Sequence, residues 1–201
     1  METIHIYTDG ACSGNQLENN IGGYGAILVY GRHEKEIVGG EIDTTNNRME
    51  MLALINALRA IKKGNQKIYV YSDSSYLINC FKEKWYLKWQ VNNWTTSQKT
   101  PVENKELWED LLYLLSDHEV AFYRVKGHIN LASKKTDISK HYEKFLQVNG
   151  DSFNLDEFKE IVKMNNRADA LANVFIEQES CLLYTSPSPR DRTRSRMPSS
   201  A

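Results

Sequence analysis

The sequence has few cysteines, no long apolar run and no recognisable leader. Its three cysteines are an odd number without C-x-x-C spacing, which argues against a disulfide scaffold or a zinc module. No stretch approaches the roughly 18 consecutive apolar residues of a transmembrane helix. The first residues, METIHIYTDG, contain no basic region that leads into an apolar one, so no secretory signal is predicted. We therefore expect a cytoplasmic protein that does not associate with membranes.

The net charge of −1 conceals an uneven distribution along the 201 residues. Of the 25 basic and 26 acidic residues, four arginines and one aspartate lie in residues 181–201, which leaves 21 basic and 25 acidic residues elsewhere. Residues 82–105, by contrast, are basic, because they contain five lysines and only two glutamates, with tryptophans between them. An acidic body with a local basic, aromatic segment is compatible with binding to nucleic acid but does not establish it.

The apolar pattern predicts an α/β fold with a mixed sheet. Alternating apolar residues predict strands at 3–8, 26–30, 36–42, 67–72 and 119–125. Helical spacing predicts helices at 49–63, 74–84, 104–116, 141–147, 155–164 and 166–177. Asn46 and Asn47 are candidate caps of the first helix, and Asn154 with Glu157 resembles a capping box. Three strands followed by alternating helices and strands indicate an antiparallel meander joined to parallel strands.

Four acidic residues stand where such a fold would present them. Asp9 and Asp73 each end a predicted strand, and parallel neighbouring strands would bring both to one sheet edge. Glu50 is the one acid in an otherwise apolar helix, and Asp169 lies among apolar residues of the last predicted helix. Taken singly, each has an ordinary structural explanation as a turn, cap or helix-dipole residue. Together they would form an oxygen-ligand cluster suited to Mg²⁺ or Mn²⁺ and not to zinc.

Six blocks of sequence, in this order, closely resemble the ribonuclease HI family. They are TDGACSGN (8–15), GGYGAIL (22–28), TTNNRMEMLALINAL (44–58), YSDSSYL (71–77), KGH (126–128) and NNRADALA (165–172). The resemblance implies a ribonuclease H-like fold, with a five-stranded mixed sheet flanked by helices. It also implies endonucleolytic cleavage of the RNA strand of RNA–DNA hybrids, leaving 3′-hydroxyl and 5′-phosphate ends.

The resemblance assigns roles to particular residues. It implies that Asp9, Glu50, Asp73 and Asp169 bind two Mg²⁺ or Mn²⁺ ions when substrate is present, and that His128 is a mobile catalytic histidine. By its own chemistry, His128 could equally be an exposed loop residue.

The resemblance also implies a set of substrate contacts. Asn15 and Asn46 would contact the minor groove, Thr45 a DNA phosphate, and Cys12 would lie beside the RNA strand. Residues 82–105, here called the basic handle, would bind the hybrid through Lys84, Trp85, Lys88, Trp89, Trp94 and Lys99. The alternative is that the tryptophans are core and the lysines solvated surface. We expect the glycines of 22–25 to allow a backbone to approach closely.

The pattern departs from the family after KGH. About 36 residues separate His128 from NNRADALA, so 129–164 is an insertion, and Asp169 is preferred to Asp137, Asp151 or Asp156 as the last carboxylate. We assign 1–178 to one catalytic domain. Residues 181–201, rich in Pro, Ser and Arg, are interpreted as a disordered tail or a translated sequencing artefact.

Two other functional classes remain compatible with the sequence. One is a catalytically silent protein that binds hybrids, although all four carboxylates are present. The other is a ribonuclease H-like domain of a reverse transcriptase or an integrase. We expect an RNA–DNA hybrid as the partner, no obligate protein partner, and a monomer.

Overall fold

The computed structural model describes residues 2–14 and 20–185. The elements of this part of the chain are β1 (Ile4–Ser13), β2 (Ile21–Tyr30), β3 (His33–Ile42), α1 (Asn46–Arg59), β4 (Lys67–Ser72), α2 (Ser75–Lys82), α3 (Trp85–Val91), α4 (Lys105–Leu115), β5 (Glu119–Arg124), α5 (Ile138–Asn149) and α6 (Leu155–Thr185). None of these helices is both long enough and apolar enough to cross a membrane.

The strands form one five-stranded mixed sheet in the order β3-β2-β1-β4-β5. β1 pairs with β2, and β2 with β3, in antiparallel register, whereas β4 runs parallel to both β1 and β5. The meander comes first and the two parallel strands follow, each after a helical connection, as the sequence pattern predicts. The expected fold class is therefore confirmed.

Helices cover both faces of the sheet. Along β1 the side chains alternate, so that Ile4 and Ile6 join one apolar cluster while Tyr7 joins another. The first cluster packs against α1, α2 and α4 and includes Trp108, which is fully buried. The second packs against α5 and α6 and contains Phe158. The sheet is thus a central layer whose β1 and β4 are buried between helices.

Two predicted boundaries near the sheet edge are wrong. β1 does not end at Asp9 but continues to Ser13, because β2 extends beside it and pairs Ser13 with Ile21. α1 begins at Asn46, and its cap is Thr45, whose hydroxyl accepts a hydrogen bond from the Arg48 N–H at 3.3 Å. Asn46 and Asn47 are therefore first-turn residues and not caps.

The last two predicted helices are a single helix, α6. Its start is as expected: Asn154 and Glu157 form the reciprocal hydrogen bonds of a capping box, at 2.7 and 2.9 Å. The predicted break near Asn165 is absent because the segment contains neither glycine nor proline, and Asn166 bonds outward to the Ile129 carbonyl at 2.9 Å. α6 also continues to Thr185, past the predicted start of the tail, and residues 186–201 lie outside the described part.

Candidate active site

Asp9 and Asp73 meet at the edge where the parallel pairing of β1 and β4 stops. That pairing ends at Thr8 and Ser72, so the next residue of each strand is an aspartate. β1 continues beyond this point against β2 alone, which places Asp9 inside a strand, opposite Gly25. Asp73 instead turns toward α2. The two carboxylates reach the same edge although only one of them ends its strand.

Glu50 completes a group of three carboxylates. It lies in α1, and its Oε2 accepts a hydrogen bond from the Ser72 hydroxyl at 3.4 Å. One oxygen from each of Asp9, Glu50 and Asp73 lies within 4.8 Å of the others. Asp9 is 5% exposed and Glu50 6%, so two of the three acids are almost fully buried. Buried carboxylates without a cationic partner need a metal ion or a proton.

Asp169 and His128 lie at the mouth of the same cleft. The His128 Nδ1 is 3.3 Å from Asp169 Oδ2, and the His128 side chain is 77% exposed. Asn173, one turn further along α6, donates to Asp169 Oδ1 at 3.2 Å. Asp169 is not one of the three described acids within 4.8 Å of one another. Its assignment as a fourth metal ligand therefore stays a prediction.

The electrostatics of the site are those of crowded, uncompensated negative charge. Burial, reinforced by Asp73 and Asp169, raises the pKa of Asp9 to about 8, although the Gly10 N–H donates to its Oδ1 at 2.8 Å. Burial and the two neighbouring aspartates raise the pKa of Glu50 well above its ordinary value. Burial also raises the pKa of Asp73, against the opposing effect of His128. A bound cation would relieve all three shifts.

The residues present fit a hard divalent cation. Each of Asp9, Glu50 and Asp73 offers carboxylate oxygen, and no cysteine or histidine belongs to this described group. Mg²⁺ and Mn²⁺ prefer such oxygen donors and retain several of their own waters, so three protein ligands at a solvent-accessible cleft suffice.

We expect the metal-free protein to lose stability as the pH rises. The folded state keeps protons on Asp9 and Glu50 that the unfolded chain has already released, so the free energy of unfolding falls as pH rises from about 4 to about 8. The loss should be on the order of a few kcal/mol, and Mg²⁺ should restore more stability at pH about 8 than at pH about 5. Thermal unfolding with chelator or with Mg²⁺ measures both effects. Asp9→Asn is the control and should flatten the pH dependence; an identical slope in both proteins would contradict the expectation.

The cleft has a volume of about 530 Å³ and contains several predicted substrate contacts. Cys12 and Asn46 line it together with the acids, and the Cys12 thiol donates to the Thr44 carbonyl at 3.6 Å. Thr45 lies beside Asn46 but uses its hydroxyl as the cap of α1. Asn15 lies outside the described residues.

Two asparagines that the sequence reasoning did not single out support this cleft. Asn20 holds the residue before the cap of α1, since its side chain accepts from the Thr44 N–H at 2.8 Å and donates to the Thr44 carbonyl at 3.0 Å. The helical spacing of Asn173 from Asp169 could have identified it as a neighbour of that acid. No sequence signal marks Asn20, because Thr44 is 24 residues away, at the other end of the β2–β3 hairpin.

The glycines of 22–25 lie where other parts of the protein come very close to strand β2. A side chain at Gly23 or Gly25 would collide with the backbone of α6, and one at Gly22 with side chains of Thr44 and Met49. The close approach that they permit is that of helix α6 to strand β2. The expected close approach of a backbone is confirmed at Gly23 and Gly25, and the structure identifies that backbone as α6.

The basic handle is a short helix and a loop whose tryptophans pack together. Trp89 lies at the centre, with ring centroids 6.3 Å from Trp85, 6.4 Å from Trp94 and 5.5 Å from buried Trp108. All three handle tryptophans are half-buried, whereas the lysines Lys84, Lys88 and Lys99 are exposed. The tryptophan rings therefore pack against one another and against Trp108, which holds the handle against the core, and only part of each ring is exposed to solvent.

The comparisons with known proteins agree with this geometry. The RNase H family model matches residues 1–139. The chain belongs to the ribonuclease H family. Ribonuclease H of Clostridium botulinum strain Hall is 53% identical over 128 residues, which cover 64% of this chain and 85% of that protein. Ribonuclease H of Thermoanaerobacter sp. strain X514 is also 53% identical over 128 residues, 64% of this chain and 80% of that one.

Solved structures show the same fold at lower identity. LC9-RNase H1, a type 1 RNase H with the type 2 active-site motif, has a TM-score of 0.58 and 23% identity over 82% of this chain and 83% of its own. LC11-RNase H1, solved in complex with an RNA/DNA hybrid, has a TM-score of 0.52 and 21% identity. The match covers 88% of this chain and 99% of that one.

Because the ribonuclease H family is a family of enzymes, the protein is an enzyme. The family match includes Asp9, Glu50, Asp73 and His128 but ends before Asp169. It also ends two residues into α5, so most of the insertion lies beyond it. The family match therefore does not bear on Asp169 or on most of residues 129–164, and the role of Asp169 stays a prediction.

Proposed function

We propose that this protein cuts the RNA strand of RNA–DNA hybrids by metal-dependent hydrolysis and leaves 3′-hydroxyl and 5′-phosphate ends. The observation that carries the proposal is the group of three carboxylates, with oxygens within 4.8 Å of one another in an open cleft. Two comparisons support the proposal: curated relatives are named Ribonuclease H, and the structure of LC11-RNase H1 contains a bound RNA/DNA hybrid.

Asp9, Glu50 and Asp73 would hold two Mg²⁺ ions in the presence of substrate, with Mn²⁺ as a substitute and Asp169 as a further ligand. When bound, such ions activate a water for attack on the phosphorus and stabilise the departing 3′ oxygen. Asp169 orients His128 through Nδ1, which leaves Nε2 as the ring atom that can take or give a proton at the cleft. The crowded negative charge that raises the pKa values of Asp9 and Glu50 attracts a cation, which has to displace their protons and should therefore bind more tightly as the pH rises.

Recognition of a hybrid requires that RNA and DNA strands be told apart. Cys12 and Asn46 line the cleft. Cys12 would lie beside the RNA strand, Asn46 and Asn15 would contact the minor groove, and Thr45 would hold a phosphate of the DNA strand. The exposed Lys84, Lys88 and Lys99 of the handle would supply attraction that does not depend on sequence and weakens with salt, beside the partly exposed rings of Trp85, Trp89 and Trp94. A cytoplasmic location and a monomeric state stay predictions.

Cleavage of an end-labelled RNA–DNA hybrid tests the proposal. With Mg²⁺, the full chain should cut the RNA of the hybrid and spare matched RNA–RNA and DNA–DNA duplexes, and mass analysis should find the predicted ends. Binding of the hybrid without any cleavage would indicate a catalytically silent protein. Cleavage of the DNA–DNA duplex would indicate a DNA-processing enzyme. Either result would overturn the proposal.

A further inference from the structure

A second cavity adjoins the carboxylate cleft. It has a volume of about 290 Å³ and shares Asp73 with that cleft. Its basic groups come from two separate segments: Arg124 and Lys126 lie at the end of β5, and His141 and Lys144 lie on α5. Asp73 is the sole acidic residue among the described residues that line it. We call this cavity the basic pocket.

The cations of the basic pocket are not neutralised by the protein. Arg124, Lys126 and Lys144 are exposed, and none of them forms an ion pair with a carboxylate of residues 2–14 or 20–185. Arg167, by contrast, pairs with Glu36 at 2.6 Å. Nearby Lys82, whose pKa burial and, to a smaller extent, Arg124 lower, donates to the Val148 carbonyl at 3.1 Å and to the Asn149 side chain at 3.0 Å and not to a carboxylate. Unpaired cations gathered around one cavity are suited to an anion.

The fold holds this arrangement in place. The side-chain amide of Asn149, at the end of α5, accepts from the Arg124 N–H at 2.9 Å and donates to the Arg124 carbonyl at 2.8 Å, so it completes the hydrogen bonding of the edge strand β5. Phe145 of the same helix is 5% exposed and belongs to the second core cluster. Lys144 therefore lies on a helix that is fixed against β5 and the core at two points.

We propose that the basic pocket binds a backbone phosphate of the RNA strand that is being cut, a few nucleotides from the cleavage site. The inference rests on the proposed function. A strand whose scissile phosphate lies at Asp73 must leave the cleft on some side, and the cavity that shares Asp73 offers cations at that point. His141 and Lys144 lie beyond the residues that the family model matches, so this contact is an addition made by the insertion.

Lys144→Gln is the first test, in steady-state cleavage of the hybrid. The KM should rise about 3- to 10-fold with little change in kcat, because one charge-assisted phosphate contact at an exposed position is lost. The dependence of log KM on log salt should become shallower by about 1. Lys62→Gln is the matched control: it removes the same charge from an exposed residue that precedes β4, at the opposite sheet end from Asp73. A lower kcat at unchanged KM, or equal effects of both variants, would overturn the inference.

Neutral phosphates identify the contact directly. A series of hybrids carries one methylphosphonate each, at successive positions of either strand. Their affinity is measured for two proteins: the Glu50→Gln variant, which should not cleave them, and the double variant Glu50→Gln, Lys144→Gln. A methylphosphonate at one position of the RNA strand should weaken binding to the Glu50→Gln variant several-fold and should not change binding to the double variant. Equal losses in both proteins at every position, or coupling to the DNA strand alone, would overturn the inference. Because this assay needs only binding, it remains decisive even if the proposed cleavage fails.

Discussion

Asp73→Asn should reduce the cleavage of an RNA–DNA hybrid by at least about a thousandfold, because losing one ligand of the catalytic cation removes several kcal/mol of transition-state stabilisation. The substitution preserves shape, and Asp73 shares its oxygen cluster with Asp9 and Glu50, which cannot replace a missing third ligand. Affinity for the hybrid should change little, since the handle lysines lie elsewhere. Single-turnover cleavage and fluorescence anisotropy measure the two effects separately.

The same substitution has a second expected effect that does not depend on activity. Asp73 is one of the charges that raise the pKa values of Asp9 and Glu50, so its neutralisation should stabilise the metal-free protein at pH about 8 and shrink the gain from Mg²⁺. Asp151→Asn is the control, because Asp151 is exposed and belongs to the insertion. Undiminished cleavage by Asp73→Asn, or an equal loss with Asp151→Asn, would refute the metal-site assignment.

The elements that the sequence predicts well are those whose pattern is local. β4 is found at its predicted bounds, 67–72, because an apolar run there is delimited by Gly64–Asn65 before it and by Asp73 after it. The convergence of Asp9 and Asp73 follows from parallel pairing, which the alternation of helices and strands already indicates. The capping box of Asn154 and Glu157 is local as well.

The features that sequence reasoning missed depend on contacts between distant segments. The continuation of β1 past Asp9 is imposed by β2, and the bond from the Asn166 amide in α6 to the Ile129 carbonyl joins residues 37 positions apart. The basic pocket joins β5 to α5 through the amide of Asn149, a residue with no distinguishing local pattern. The insertion was visible as extra length, but its position against Asp73 is a property of the packed chain.

Gly25→Ala should be strongly destabilising and should also impair the site. A Cβ at Gly25 would collide with the Ala168 carbonyl oxygen and lie 2.8 Å from the Ala172 nitrogen, both backbone atoms of α6 that cannot rotate aside. We expect a loss of at least about 1–3 kcal/mol in the free energy of unfolding, the usual range for overpacking, which exceeds the small gain from replacing a strand glycine. Urea unfolding followed by circular dichroism measures it.

The consequence for catalysis follows from the positions of the colliding atoms. Ala168 precedes Asp169, and Gly25 lies opposite Asp9 in the β1–β2 register, so moving α6 away from β2 separates Asp169 from the other acids and from His128. Cleavage by the folded fraction should therefore fall as well. Gly39→Ala is the matched control, because its Cβ would meet the ring and hydroxyl of Tyr24, a side chain that can move. If both variants are equally stable and equally active, the glycines of β2 do not set the distance between α6 and the sheet.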